Sequence, residues 1–375
     1  MNVKLIGKHE KDSRACRDGL ALTLNEMMAE DKSICYVDCD LMGCINTKML
    51  RKNYPDRAFE AGIAEGNAAG VAAGLAATGK KVFFHSFGTF SSRRCYDQIY
   101  MSAAYAGLTV HVLGSDAGVT AAFNGGTHMP LEDAAMYLSI PETTVTDPAD
   151  YAQLASITRQ LPGITKGVTY TRFVRKGIIK VYDDGSEFEI GKGVVLHESD
   201  KDVATIITSG IMVDESLKAY EALQAEGISV RVIDMFTWKP LDEELVIKAA
   251  KETGAIVEYG EDKELLKGAD ALYTDIWASM GEEDKIPERV KLLTPFKVTG
   301  DVLKATENPD CIFLHCLPSF HDFDTTMAAS QKELGYDIRE VTDEVFLSPN
   351  SKVFDEAENR MHTIKAVMVA TIGNV

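Results

Sequence analysis

The stretch FEAGIAEGNAAGVAAGLAATGKKVFFHSFGTFSSRRCYDQI, residues 59–99, decides the fold. Residues 66–79 are small almost throughout, which predicts a tight helix with Gly66, Gly70 and Gly74 on one face. That face allows close approach by another backbone, from this chain or from another subunit. KVFFHSF, 81–87, follows as an apolar run and predicts a buried strand. A helix feeding a buried strand is the repeating piece of a parallel α/β layer. Glu65 stands at the helix start, where the macrodipole favours a carboxylate. Phe87 and Phe90 lie three residues apart after the strand. Such a pair either fills a core or shelves a flat heterocycle.

The alternation extends outward. Residues 12–30 predict an amphipathic helix, and ICYVD, 34–38, a buried strand. LTVHVLGS, 108–115, is another strand, and GGTHMPLEDAAMY, 125–137, is a loop entering a helix. Residues 165–202 are short β-like pieces with DDG and GKG turns, expected to link two layers. From Val203 the pattern returns. VATIITS (203–209), ISVRVID (228–234), AIVEYG (255–260), ALYTDIW (271–277) and CIFLHC (311–316) are strands. Residues 214–227 and 241–254 are helices with glycine stops, and KELLKGAD is a short helix. Residues 355–373 make a last helix striped by Met361, Ile364, Met368 and Ile372. The fold class is α/β.

The 375 residues suggest two or three domains, and 45% hydrophobic content supports a large core. No apolar run reaches the roughly 18 residues that span a bilayer, and the first residues carry no secretory h-region. The net charge of −18 argues against nucleic acid and anionic membrane as partners. A few local Arg or Lys are still able to hold a phosphate. The seven cysteines form no CxxC and suit free thiols in a reducing cytoplasm. Cys35, Cys39 and Cys44 lack the paired spacing of structural zinc, so no metal is expected on this chain.

The words of residues 59–99, with VDCDLMGC (37–44), GVTAAFNGGTHMPLEDAAMYLSIPETTVTDPAD (118–150) and VIDMFTWKPLDEELVIKAAKETGAIV (232–257), closely resemble transketolases. The likeness is to the carboxyl-terminal, pyrimidine-binding subunit of split bacterial transketolases. It implies a pyrimidine-type domain over 1–188 and a truncated transketolase carboxyl-terminal domain over 189–257. It also implies thiamine diphosphate as cofactor. Glu65 would bond the aminopyrimidine, Phe87 and Phe90 would pack on it, and Arg93 and Asp40 would lie beside them. His128 would be a catalytic polar contact to substrate, and Arg175 would reach a sugar phosphate. Asp116 stands where many members have a substrate-contacting His, and Asn124 where many have Asp, which puts the sugar's identity in question. No GDG…N magnesium motif occurs in the sequence. The resemblance therefore implies an amino-terminal partner subunit that holds Mg2+ and the diphosphate, and an oligomer with the site between chains.

After Val257 the wording changes. EYGEDKELLKGADALYTDIWASMGEEDK, CIFLHCLPSFH and VTDEVFLSPNSKVFDEAENRMHTIKAVMVATIG closely resemble the ornithine-binding domain of ornithine carbamoyltransferase. Over 258–375 this implies a truncated ornithine-binding domain. Asp275 ends a strand, where open α/β sheets place ligand groups, and its anion suits an amine. In the family Ser279 and Met280 close over the amino acid, Cys316 and Leu317 contact its amine, His315 meets the carbamoyl oxygen, and Arg360 reaches carbamoyl phosphate. The Ser-Thr-Arg-Thr-Arg helix start that binds that phosphate occurs nowhere in the sequence.

The change falls inside a predicted strand, so a hybrid Rossmann-like parallel domain is expected, its strands drawn from both families. Three functions follow. The first is a transketolase component transferring two-carbon units between sugar phosphates with its partner. The second is an ornithine-binding transferase of arginine metabolism. The third is a fusion without selected activity.

Overall fold

A computed structural model of the chain describes residues 1–253, 260–278 and 285–358. Two units, Met1–Ile256 and Val257–Val369, each make their own contacts.

In the first unit the strands in chain order are β1 (Ile34–Asp38), β2 (Ala58–Glu60), β3 (Lys81–Phe87), β4 (Val110–Ser115), β5 (Thr144–Thr146), β6 (Thr169–Phe173), β7 (Val194–His197), β8 (Thr205–Thr208), β9 (Arg231–Asp234) and β10 (Thr237–Lys239). Seven of them form one sheet in the order β10-β5-β6-β4-β3-β1-β2. All neighbours are parallel except β10 on β5. Both faces are covered, which is why these strands read as unbroken apolar runs. Ile34, Tyr36, Phe83 and Leu113 face one core with Leu20, Leu24, Met28, Leu154 and Ile157. Cys35, Val37, Val82, Phe84 and Val112 face the other, against Ala68, Ala69, Ala72 and Ala73.

Helix Glu65–Ala77 thus packs within the chain by its alanines. A Cβ added at Gly70 or Gly74 would meet open space. Among the described residues nothing makes the close approach that Gly70 and Gly74 allow. A tighter demand falls on Gly114 of β4, where a Cβ would overlap the Tyr170 ring, 2.7 Å from its Cε2. Tyr170 is fully buried and donates to Asp133 Oδ2 at 2.6 Å. Gly114→Ala is expected to cost about 1–3 kcal/mol, read as a lower urea midpoint at unchanged slope.

Residues 165–202 do not simply link two layers. β6 lies inside the main sheet, between β4 and β5. Residues 179–187 pair antiparallel with the amino-terminal arm, through Asn2–Glu187, Leu5–Tyr182 and Lys11–Ile179. The arm satisfies backbone groups that the turn-rich sequence could not assign to any partner. Strands β7, β9 and β8 form a separate three-stranded sheet. It is tied to the first layer by β10 and by Asp147, which accepts from the Ser209 hydroxyl at 2.9 Å. The Trp238 indole N–H donates to the same hydroxyl at 3.0 Å.

In the second unit β11 (Ala271–Thr274) and β12 (Ile312–His315) pair in parallel. Leu272, Phe313, Val341, Val345 and Val353 form their core. Among the described residues the ladders are β7–β9–β8 in the first unit and β11–β12 in the second. Residues 255–259 of the predicted AIVEYG strand, and the last predicted helix from 359 onward, lie outside the described residues.

Candidate functional site

Parallel strands present their carboxyl ends along one edge of the sheet. Asp40 follows β1, Glu65 follows β2, Phe87 ends β3, Asp116 follows β4 and Arg175 follows β6. β2 flanks β1 on one side and β3 on the other, so the chain reverses its direction of growth at β1. Ligands of open α/β sheets bind at such reversals. Glu65 opens the helix that makes the crossing.

Glu65 is 4% exposed. Among the described residues its carboxylate has only long contacts: Arg94 Nη1 at 3.3 and 3.4 Å and the Ser86 hydroxyl at 3.5 Å. Acceptor capacity therefore remains on a buried anion at a helix start. The Phe87 and Phe90 ring centroids are 6.2 Å apart. His128 closes the group edge-on, 5.7 Å from Phe87 and 5.1 Å from Phe90. Its Nδ1 lies 2.9 Å from the Thr127 hydroxyl.

Arg93 departs from its expected place. It pairs with Glu132 at 2.6 Å, and it is Arg94 whose guanidinium covers Phe90, 3.8 Å from the ring centroid. On a helical turn Phe90 and Arg94 are i and i+4 neighbours, so spacing carried this signal. Asp40 is exposed in a left-handed conformation (φ 63°), and its backbone N–H donates to Glu60 at 2.5 Å. Asn124 is exposed at the end of a 3-10 turn.

Asp116, also left-handed (φ 64°), is 2% exposed and ion-paired with Arg175. The Arg175 Nε donates to Oδ1 at 3.2 Å, and Nη2 stands 3.2 Å from Oδ2. Burial raises the Asp116 carboxyl above its ordinary range, and Arg175 opposes that rise. Arg175 also lies 5.3 Å over Phe87 and 5.9 Å from Phe123.

Beneath this edge runs a buried polar chain that sequence reading did not single out. Tyr36 donates to Asp38 Oδ2 at 2.6 Å. His85 Nδ1 lies 2.8 Å from the same oxygen, and His85 Nε2 lies 3.0 Å from the Ser115 hydroxyl. Asp38 Oδ1 accepts the Leu41 N–H at 2.6 Å. The chain fixes the ends of β1, β3 and β4 relative to one another. Burial and the Glu65 charge push the Cys39 and Cys95 thiols far up, so neither is a thiolate at neutral pH.

In the second unit the strand register puts Asp275 beside Cys316. The Cys316 thiol donates to Asp275 Oδ1 at 2.8 Å. That bond holds the Asp275 carboxyl below its usual range. His315 is turned inward. It is 1% exposed, with Nε2 3.1 Å from buried Glu340 and Nδ1 accepting the Leu317 N–H at 2.9 Å. β12 aims this imidazole, expected to meet a carbamoyl oxygen, into the core. Ser279, Met280 and Arg360 lie outside the described residues.

Comparison with known proteins finds two families in the chain. Residues 12–175 match the transketolase pyrimidine binding domain, and residues 209–371 the Asp/Orn binding domain of aspartate/ornithine carbamoyltransferase. The second match begins upstream of Val257, inside the first unit. The chain is 41% identical over 273 residues to the 6-deoxy-6-sulfo-D-fructose transketolase subunit SqwH of Clostridium sp. (strain MSTE9), covering 73% of this chain and 83% of that one. It is 37% identical over 286 residues to a putative transketolase C-terminal section of Methanocaldococcus jannaschii, covering 76% and 87%. Over 127 residues it is 62% identical to the catabolic ornithine carbamoyltransferase of Clostridium perfringens, covering 33% of this chain and only 38% of that one. A solved structure described as a split gene transketolase, inactive beta4 tetramer, matches with a TM-score of 0.59 at 29% identity, over 88% of this chain and 95% of that one. A Pichia stipitis transketolase shares the fold at 19% identity, with a TM-score of 0.57 over 66% of this chain and 38% of that one. The chain belongs to the transketolase family, on the side of its split carboxyl-terminal subunits, and carries in its last third a segment of the carbamoyltransferase Asp/Orn-binding domain.

Proposed function

We propose that the chain is the pyrimidine-binding component of a thiamine-diphosphate-dependent transketolase that moves two-carbon ketol units between sugars. The observation that carries this is the buried, weakly partnered Glu65 carboxylate at the sheet reversal, beside Phe87, Phe90 and His128. A buried acceptor next to two aromatic faces fits an aminopyrimidine ring. Thiamine diphosphate, when bound, supplies the nucleophilic carbon of such a reaction. Glu65 would accept the hydrogen bond that governs the ring's protonation. Phe87 and Phe90 would orient the ring and exclude water, and His128 would hold a substrate hydroxyl or its proton. Asp40 and Arg93 stay at the rim of this reading.

An amino-terminal partner subunit would supply the magnesium and diphosphate contacts. The open Gly70–Gly74 face is available for a second backbone, which supports an obligate oligomer. One relative is named for a sulfonated fructose, so the sugars here include those with an anionic far end. Among the described residues no helix is long and apolar enough to cross a membrane. The free cysteines suit the reducing cytoplasm. The test is reconstitution: the purified chain mixed with an amino-terminal transketolase subunit, Mg2+, cofactor, and ketose and aldose sugars. Transfer that requires both proteins supports the reading, and none in any combination overturns it.

The Asp275–Cys316 pair supports a second, narrower reading, in which the other unit holds an amine such as that of ornithine without transferring a carbamoyl group. The expected result is a rise in the melting temperature of the full chain with millimolar ornithine, lost in Asp275→Asn. No shift would leave the segment without a ligand and favour a fusion with one selected half.

A further inference from the structure

The charges around the aromatic shelf are balanced in a specific way. Arg93 is matched by Glu132, Arg94 by Glu65 and Arg175 by Asp116. Lys176 is exposed and lies over Phe123, 3.9 Å from its ring centroid. The Arg175–Asp116 pair is the most enclosed of these, with side-chain exposures of 12% and 3%. A guanidinium already neutralised by a buried carboxylate is a poor receptor for a phosphate, which carries close to two negative charges at neutral pH. That dianion would stand against the Asp116 carboxylate in a region of low dielectric. A single negative charge, or a hydroxyl, meets less repulsion and still finds the remaining guanidinium N–H donors.

We propose that Asp116 sets the substrate class, making the site favour sugars whose far end carries one negative charge, such as a sulfonate, over phosphate dianions. The inference rests on the proposed ketol transfer. Asp116 acts through Arg175 and is a positioning residue for specificity. It is isolated cleanly by Asp116→Asn. Asparagine tolerates the left-handed φ of 64° as aspartate does, and its side-chain oxygen still accepts from the Arg175 Nε while its amide replaces the oxygen that faces Nη2, so the negative charge is removed with one bond kept.

In the reconstituted complex, kcat/KM is measured for three donors with one carbon skeleton: fructose 6-phosphate, 6-deoxy-6-sulfofructose and fructose. The native chain should prefer the sulfonate to the phosphate. In Asp116→Asn the phosphate-to-sulfonate ratio should rise by about tenfold or more, through KM, while fructose changes little. Because a folding loss lowers all three donors together, the ratio is immune to it. Transfer with an unmoved ratio, or one that moves toward the sulfonate, overturns the inference and leaves the ketol-transfer reading standing. If no donor reacts, that reading falls, and a second arm on the chain alone decides the electrostatic claim. Inorganic phosphate should raise the melting temperature of Asp116→Asn more than that of the native chain, with methanesulfonate as the single-charge control. Equal shifts overturn it.

Discussion

Glu65→Gln is expected to lower kcat/KM for two-carbon transfer in the reconstituted complex by about 10²–10⁴-fold, the range that one positioned acid–base group contributes. Glutamine has the same reach and fits the same helix start. It lacks the anion, so it cannot favour the same protonation state of a bound aminopyrimidine. The fold should tolerate the change. Arg94, the ion-pair partner left behind, has a half-exposed side chain that water can solvate, and it still rests on Phe90. Melting temperature and urea midpoint should therefore stay close to the native values while activity falls. Arg94→Ala should weaken activity further than Arg93→Ala, because only Arg94 meets Glu65. Transfer within a few-fold of native in Glu65→Gln would remove this carboxylate from the chemistry and with it the central claim for this chain.

The second large effect expected is a loss of stability as pH rises from about 4 to 8, in the first unit. Asp234 is fully buried, and burial pushes its carboxyl up to about 7. Burial likewise pushes Asp150 up to about 6 and raises Asp147. These groups hold protons in the native state that the unfolded chain has already released. Stability is then greatest below the ordinary carboxylate range and falls as pH rises through the native values. At about 1.4 kcal/mol for each tenfold mismatch in proton affinity, the three carboxyls together withdraw several kcal/mol. His9, raised by its bonds to Asp214 and Glu221, loses its contribution in the same direction as pH climbs through its native value. Asp31, drawn down to about 2 chiefly by the Ser33 hydroxyl, works oppositely and loses its contribution as pH falls toward 2. The urea midpoint should therefore peak on the acid side of neutrality. Asp234→Asn should flatten the alkaline limb and exceed the native chain above pH 7. Tyr182 and Gln153 both donate to Oδ2, and Oδ1 is buried with no hydrogen-bond partner among the described residues. Asparagine can keep both bonds with its carbonyl oxygen. A native midpoint that is level from pH 5 to 8 would sink this account.

The sequence by itself determined the elements that bury an unbroken apolar run. ICYVD and KVFFHSF are strands over their whole quoted lengths, because a strand covered on both faces leaves no polar alternation to misread. It also determined which residues follow each strand, and parallel pairing places all of those at one edge. Glu65, Phe87, Phe90 and His128 were legible in that sense. The tertiary structure alone decided which neighbour turns toward which. Arg94 rather than Arg93 meets Glu65, because one residue along a helical turn rotates a side chain by about 100°. Asp116 meets Arg175 across 59 positions of chain, and Asp38 meets His85 across 47. Pairings of that range depend on strand order. Local periodicity does not report strand order. For the same reason the change of wording at Val257 was visible in the residues, while the pairing of β9 with both β7 and β8 was not. Each strand carried its own burial pattern, but its partner was set by the chain between them and by the backbone groups left to satisfy.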